Sequence, residues 1–168
     1  DLDRFKSIND RFGHEVGDRS LQLFARTLQD NVRDADLVAR YGGEEFVIVY
    51  PEMTVGGSME AIERLRLALI TAPANSAVPG FTCSFGVTHS SVGTSFDEIF
   101  RVADAGLMVA KEMGRNRSIY ADRELADRVF GQGIGRDSAL NAQERLRARA
   151  AEGDDIEGAD WSTEFLAD

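Results

Sequence analysis

Apolar residues recur along the first 121 positions with helical and strand periods in turn, and this succession predicts the elements. Phe5, Ile8 and Phe12 stand at helical spacing, with Gly13 placed to end that helix. Gly13 to Asp18 reads as a compact loop closing on Asp18 as a helix N-cap. From Asp18 to about Val32 a helix carries Leu21, Phe24, Ala25 and Leu28 on one face. Val38 to Tyr50 places two β-branched and aromatic runs around Gly42-Gly43-Glu44-Glu45, the pattern of a β-hairpin whose glycines supply positive φ angles. A second long helix spans Thr54 to Ile70, with Met59, Ile62, Leu65 and Leu69 inward and Glu60, Glu63, Arg64 and Arg66 on polar positions. Ala72 to Gly80, with Pro73 and Pro79, is a loop. Phe81 to Val87 predicts a strand, Phe96 to Met113 a third helix and Ser118 to Ala121 a last short strand. Asp1-Leu2-Asp3 reads as the end of a strand. Helices grouped around one mainly antiparallel central sheet make this an α+β fold.

Composition narrows the class without naming it. The sequence has 168 residues, 43% hydrophobic and 29% charged, enough for one domain with a real core. A net charge of −10 speaks against a nucleic-acid binder, because phosphate backbones are held by basic surfaces. It leaves room for a small anionic substrate held by a few local cations. The single cysteine, Cys83, sits in the apolar run Phe81-Thr82-Cys83-Ser84-Phe85 and reads as a buried small hydrophobe in a reducing compartment. No apolar run approaches the roughly 20 residues a membrane helix needs. Beyond residue 121 the composition shifts. Gly131-Gln132-Gly133-Ile134-Gly135 is a flexible stretch, and Ser138 to Ala151 is helix-compatible. Residues 152–168 are acidic, with Trp161, Phe165 and Leu166 as the means of docking. The expected division is therefore 1–120 as the main domain and 121–168 as an acidic C-terminal tail, partly helical or disordered. The opening Asp-Leu-Asp, with no methionine and no lead-in strand, is expected to continue a longer protein.

Candidate chemistry concentrates at the hairpin. Glu44 and Glu45 lie on the rim of the expected sheet; taken alone, they are ordinary solvated turn residues. If the Asp1 strand lies beside the hairpin, Asp1 and Glu44 meet on that rim. Hard oxygen donors, with only His14 and His89 as imidazoles and no cysteine beside them, suit Mg²⁺ rather than Zn²⁺. A calcium loop starting at Asp1 fails, because Phe5 and Lys6 stand where an oxygen ligand and a glycine are required. Lys6 follows on the first helix, and Lys111 and Arg115 stand four apart near the end of the third. A carboxylate-held Mg²⁺ flanked by such cations is what phosphoryl transfer asks for.

Six motifs occur in order: Asp1-Leu-Asp-x-Phe-Lys-x-Ile-Asn9-Asp, Gly13-His-x-x-Gly-Asp18, Arg40-Tyr-Gly-Gly-Glu-Glu-Phe46, Ser84-Phe-Gly-Val87, Ala103-Asp-x-Gly-Leu and Ala110-Lys-x-x-Gly-Arg-Asn116. Over residues 1 to about 120 the chain strongly resembles the GGDEF-domain family, the diguanylate cyclases of bacterial signalling. The resemblance implies a fold like the polymerase and nucleotide cyclase palm, lacking here its first helix and most of its first strand. It implies condensation of two GTP into cyclic di-GMP and two pyrophosphates, with Mg²⁺ (or Mn²⁺) as cofactor and a homodimer as the working unit. Asp1, Glu44 and the Leu2 carbonyl would hold the metal, Gly42 and Gly43 would admit the phosphates, and Glu45 would share in catalysis. Asn9 and Asp18 would read the guanine edge, with Phe5 and His14 in the same substrate-binding motifs. Lys6, Lys111 and Arg115 would take the phosphates.

Arg33-x-x-Asp36 stands at the offset of the family's inhibitory site, and Arg64 where a secondary inhibitory arginine is expected. Arginine forks suit phosphate and the guanine Hoogsteen edge. The resemblance thus implies product binding at Arg33, Asp36 and Arg64. It also implies a cytoplasmic catalytic domain, with membrane attachment of the parent protein left open.

Overall fold

The computed structural model describes residues 1–131; the expectations for residues 132–168, including the 138–151 helix and the acidic tail, lie outside the described residues. The order is α1 (Phe5–Phe12), α2 (His14–Asp30), β1 (Leu37–Gly42), β2 (Glu45–Val49), α3 (Val55–Thr71), β3 (Phe85–Val87), α4 (Phe96–Glu112), β4 (Ser118–Tyr120) and α5 (Arg123–Phe130). Up to β4 this is the predicted succession, and the architecture is α+β.

Three pairings build the sheet structure. β1 and β2 are antiparallel, with Val38 opposite Ile48 and Arg40 opposite Phe46, and an irregularity between Arg40 and Gly42. β3 and β4 run parallel, Gly86 beside Ile119, as their connection through α4 permits. Asp1–Asp3 links the two: Leu2 bridges Cys83 antiparallel, and Asp1 and Ser84 exchange backbone bonds at 3.0 Å each way. On its other side Leu2 donates its N–H to the Glu44 carbonyl at 3.2 Å. The predicted strand from Phe81 is therefore regular only over Phe85–Val87, because residues 82–84 have only the short Asp1–Asp3 segment to pair with.

The core lies between the helices and this sheet. Leu2, Ile8, Leu21, Phe24, Leu28, Ile62, Leu65, Leu69, Phe81, Cys83, Phe85 and Val87 form one buried cluster. Phe24 is its aromatic centre, edge-on to Phe46 at 5.0 Å and to Phe81 at 6.2 Å. Met59 packs at its edge as the pattern indicates. Phe12 differs, since it is 44% exposed and lies under the Arg11 guanidinium.

Two expectations are corrected. Residues 14–18 are helical rather than a loop: Gly13, at φ 86°, makes the whole turn between α1 and α2, so Asp18 is inside α2 and not its cap. Gly17 is there for close approach, because a Cβ at that position would lie 1.8 Å from Asn9 Oδ1. In the hairpin only Gly43 takes positive φ (50°); Gly42 remains in β1 opposite Glu45, and Gly43-Glu44 form the turn.

Later helices begin where their caps dictate. Thr54 accepts the Gly57 N–H, and Ser95 accepts the Glu98 N–H while Glu98 accepts the Thr94 N–H in return. α5 lies within the segment read from sequence as tail. Asp122 caps it, Ala126 is buried, and it packs on α4 with Arg101 over the Phe130 ring. None of the helices among the described residues is long and apolar enough to cross a membrane.

Candidate nucleotide site

The Leu2–Glu44 backbone bond brings the two carboxylate-bearing segments side by side. Glu44 sits in the hairpin turn and Glu45 opens β2, both half-buried. Arg40 fastens this turn by donating Nε to the Gly43 carbonyl at 2.8 Å. Asp1 has a nearly buried side chain that meets Lys111 Nζ at 3.0 Å, so the end of α4 reaches the same rim.

That end is shaped by a Schellman motif. Gly114, at φ 108°, follows the helix; its N–H points to the Lys111 carbonyl at 3.4 Å, and the Arg115 N–H reaches the Ala110 carbonyl at 2.9 Å. Arg115 (φ 67°) and Asn116 (φ 50°) continue in the left-handed region, which costs a non-glycine residue roughly 1–2 kcal/mol. The compensation comes from Asp3. This buried carboxylate accepts Thr82 Oγ1 and Ser84 Oγ, each at 2.7 Å, and the Asn116 N–H at 3.1 Å. Asp3 was visible in sequence only as part of Asp-Leu-Asp. Its role depends on partners 79 or more positions away, which no local pattern reveals.

A second group forms where α1 crosses α2. Asn9 lies over Gly17, next to exposed Asp18. Its Oδ1 is buried and has no hydrogen-bond partner among the described residues, a state that is rare for a buried polar atom in a native fold. Phe5 is half-buried against the core, while Lys6 and His14 are exposed.

Arg33 and Asp36 form a third group on the loop before β1. The Arg33 fork grips Asp36 Oδ1 with Nε at 3.0 Å and Nη2 at 2.5 Å, and its backbone N–H meets Oδ2 at 2.8 Å. Nη2 also reaches the Pro51 carbonyl at 3.2 Å. The Asp36 carboxyl is held below the usual carboxylate range by this arginine. Burial, with Asp36 nearby, pushes the Tyr50 phenol up, opposed by Arg64 and Arg33, so these four side chains share one electrostatic neighbourhood.

The donor set suits a hard divalent cation. Among the described residues no three His, Cys, Asp or Glu side chains converge on one point. A metal here would therefore rest on Asp1, Glu44 and backbone, water or substrate oxygens, the partial protein shell that Mg²⁺ usually accepts. An α+β domain with such a rim belongs structurally to the nucleotide cyclase palm class.

The comparisons specify the class further. The family model described as "Diguanylate cyclase, GGDEF domain" matches residues 1–117. Diguanylate cyclase DgcM of Escherichia coli is 43% identical over 121 residues, 72% of this chain and 29% of that protein. Response regulator PleD of Caulobacter vibrioides is 40% identical over 121 residues, 69% of this chain and 27% of that one. Among solved structures, the active GGEEF domain of a diguanylate cyclase from Vibrio cholerae superposes with TM-score 0.65 at 33% identity, covering 72% of this chain and 78% of that one. The GGDEF domain of DgcB from Caulobacter crescentus in complex with c-di-GMP gives 0.65 at 30%, over 71% and 73%. The chain belongs to the GGDEF-domain family. It spans less than a third of the length of these two curated relatives.

Proposed function

We propose that the chain is the catalytic domain of a diguanylate cyclase, condensing two GTP into cyclic di-GMP and two pyrophosphates. The observation that carries this reading is the convergence of Asp1, Glu44 and Lys111 on one rim, through the Leu2–Glu44 bond and the 3.0 Å Asp1–Lys111 pair. Asp1, Glu44 and the Leu2 carbonyl would hold Mg²⁺, with Mn²⁺ as an alternative. When bound, such a cation neutralises phosphate charge and favours loss of the 3′-hydroxyl proton.

The residues around it would do the rest. Gly42 and Gly43 leave the hairpin tip without side chains where phosphates approach, and Lys6, Lys111 and Arg115 balance their charge. Asn9 offers its unpartnered oxygen to a guanine N–H donor, and Asp18 accepts from the same edge. Glu45 would serve as base, as a second metal ligand or as support for the turn. In each of two transfers a 3′-oxygen attacks an α-phosphorus, the bond to pyrophosphate breaks and the hydroxyl proton leaves to solvent. Each domain binds one GTP, so two copies must face each other about a two-fold axis. Arg33, Asp36 and Arg64 would bind the product and restrain the enzyme. The Arg33 fork, already bidentate on Asp36, offers its remaining N–H groups to phosphate or a guanine Hoogsteen edge.

Incubating the protein with GTP and Mg²⁺ and reading cyclic di-GMP by mass spectrometry tests the proposal. Product that vanishes in Glu44→Ala supports it, and Arg33→Ala should then sustain turnover at higher product concentration. A folded dimer that binds cyclic di-GMP and forms none from GTP would instead be a sensor.

A further inference from the structure

Arg66 occupies a polar position of α3, yet its side chain is only 14% exposed. It grips Glu63 with Nε at 2.9 Å and Nη2 at 2.6 Å, leaving Nη1 to reach Asn116 Oδ1 at 2.7 Å, fifty residues away. Asn116 is therefore held from two sides, its side chain by α3 and its backbone N–H by Asp3. Between this anchor and the end of α4 lies Arg115, in a left-handed conformation that an L-residue keeps only where its surroundings impose it.

We propose that Arg66 is a positioning residue for nucleotide binding: through Asn116 it fixes the Gly114–Arg117 turn and so the direction in which Arg115 meets phosphate. Arg66 does not touch the nucleotide. The inference rests on the reading above that this turn takes the phosphates of GTP. The planar guanidinium is essential, because one face of the fork must stay on Glu63 while the third nitrogen holds Asn116. A lysine keeps the charge and cannot make both contacts.

The test compares GTP and guanosine binding by calorimetry for the 168-residue chain and for Arg66→Lys, Asn116→Ala, Asn116→Asp and Arg115→Ala. Removing a group that orients a ligand-contacting side chain commonly weakens binding about tenfold or more. Arg66→Lys and Asn116→Ala should each lose about tenfold in GTP affinity, keep guanosine affinity, and combine without further loss. Asn116→Asp, which retains the acceptor oxygen, should bind like the unmodified protein. If Arg66→Lys does not fold, the Asn116→Ala and Asn116→Asp pair carries the same comparison. Unchanged GTP binding in Arg66→Lys and Asn116→Ala, with loss in Arg115→Ala, overturns the inference. Equal weakening of GTP and guanosine also overturns it, since that marks a general structural effect. Unmodified protein that binds no GTP overturns the functional reading instead.

Discussion

Gly17→Ala separates fold from function at the Asn9 group. In the interior of α2, alanine is favoured over glycine by about 0.8–1.0 kcal/mol. The new Cβ would stand 1.8 Å from Asn9 Oδ1 and 3.2 Å from Phe5 Cζ. The first contact is impossible, but the atom that must yield is the tip of a side chain rather than backbone. Moving Asn9 off its rotamer costs about 0.5–1.5 kcal/mol, so the two effects nearly cancel. Stability by urea unfolding should therefore change by less than about 1 kcal/mol. Ligand binding should change far more. The displaced oxygen no longer meets the base, and a lost hydrogen bond of about 1–3 kcal/mol weakens affinity roughly 5- to 140-fold. Titration with GTP and with ATP provides the assay: GTP affinity should fall toward that of Asn9→Ala, and Gly17→Ala with Asn9→Ala together should be no worse than Asn9→Ala alone. Wild-type GTP affinity in Gly17→Ala would refute the placement of Asn9. A loss of several kcal/mol in stability would show that Gly17 serves packing instead.

Other expectations concern stability and reactivity. Gly86→Ala puts a Cβ 1.8 Å from the Ala103 carbonyl oxygen and 2.5 Å from the Leu107 nitrogen, both rigid helix backbone. It should cost about 3 kcal/mol or more and lower the melting temperature on the order of 10 °C by calorimetry. Asp36 is held below its ordinary value of 3.8 by Arg33, so its contribution is present above that value and lost as pH falls through the lower folded value. Urea midpoints between pH 7 and 2 should accordingly be lower at neutral pH and fall less steeply on the acid side in Arg33→Met, because Asp36 then loses its depressed value. Cys83 is fully buried and its thiol is pushed up to about 12, chiefly by burial, so a thiol reagent should leave it unmodified at neutral pH until the protein unfolds.

How much of this was legible in sequence depends on the range of the interaction. Periodicity reported α2, α3 and α4, and for α2 and α3 the residues they bury, because Leu21, Phe24 and Leu28, and Ile62, Leu65 and Leu69, each repeat within one helix face. The hairpin was legible from its flanking runs. The division of labour between its glycines was not, since Gly42 and Gly43 look alike until strand register assigns one to the ladder and one to the turn. A glycine also looks the same whether it breaks a helix or admits a neighbour, which is why Gly13 to Asp18 read as a loop.

By itself, then, the sequence determined the succession of elements up to β4, the absence of a disulfide within the chain, and the family through six ordered motifs. These are properties of residue types and short spacings, which a linear pattern records directly. Only the tertiary structure decided that Leu2 hydrogen-bonds Glu44, that Lys111 faces Asp1, and that Asp3 and Arg66 jointly hold Asn116. Those contacts join segments 42 to 113 residues apart, and burial closes them: a desolvated carboxylate or guanidinium must find a partner, and the fold determines which one is within reach.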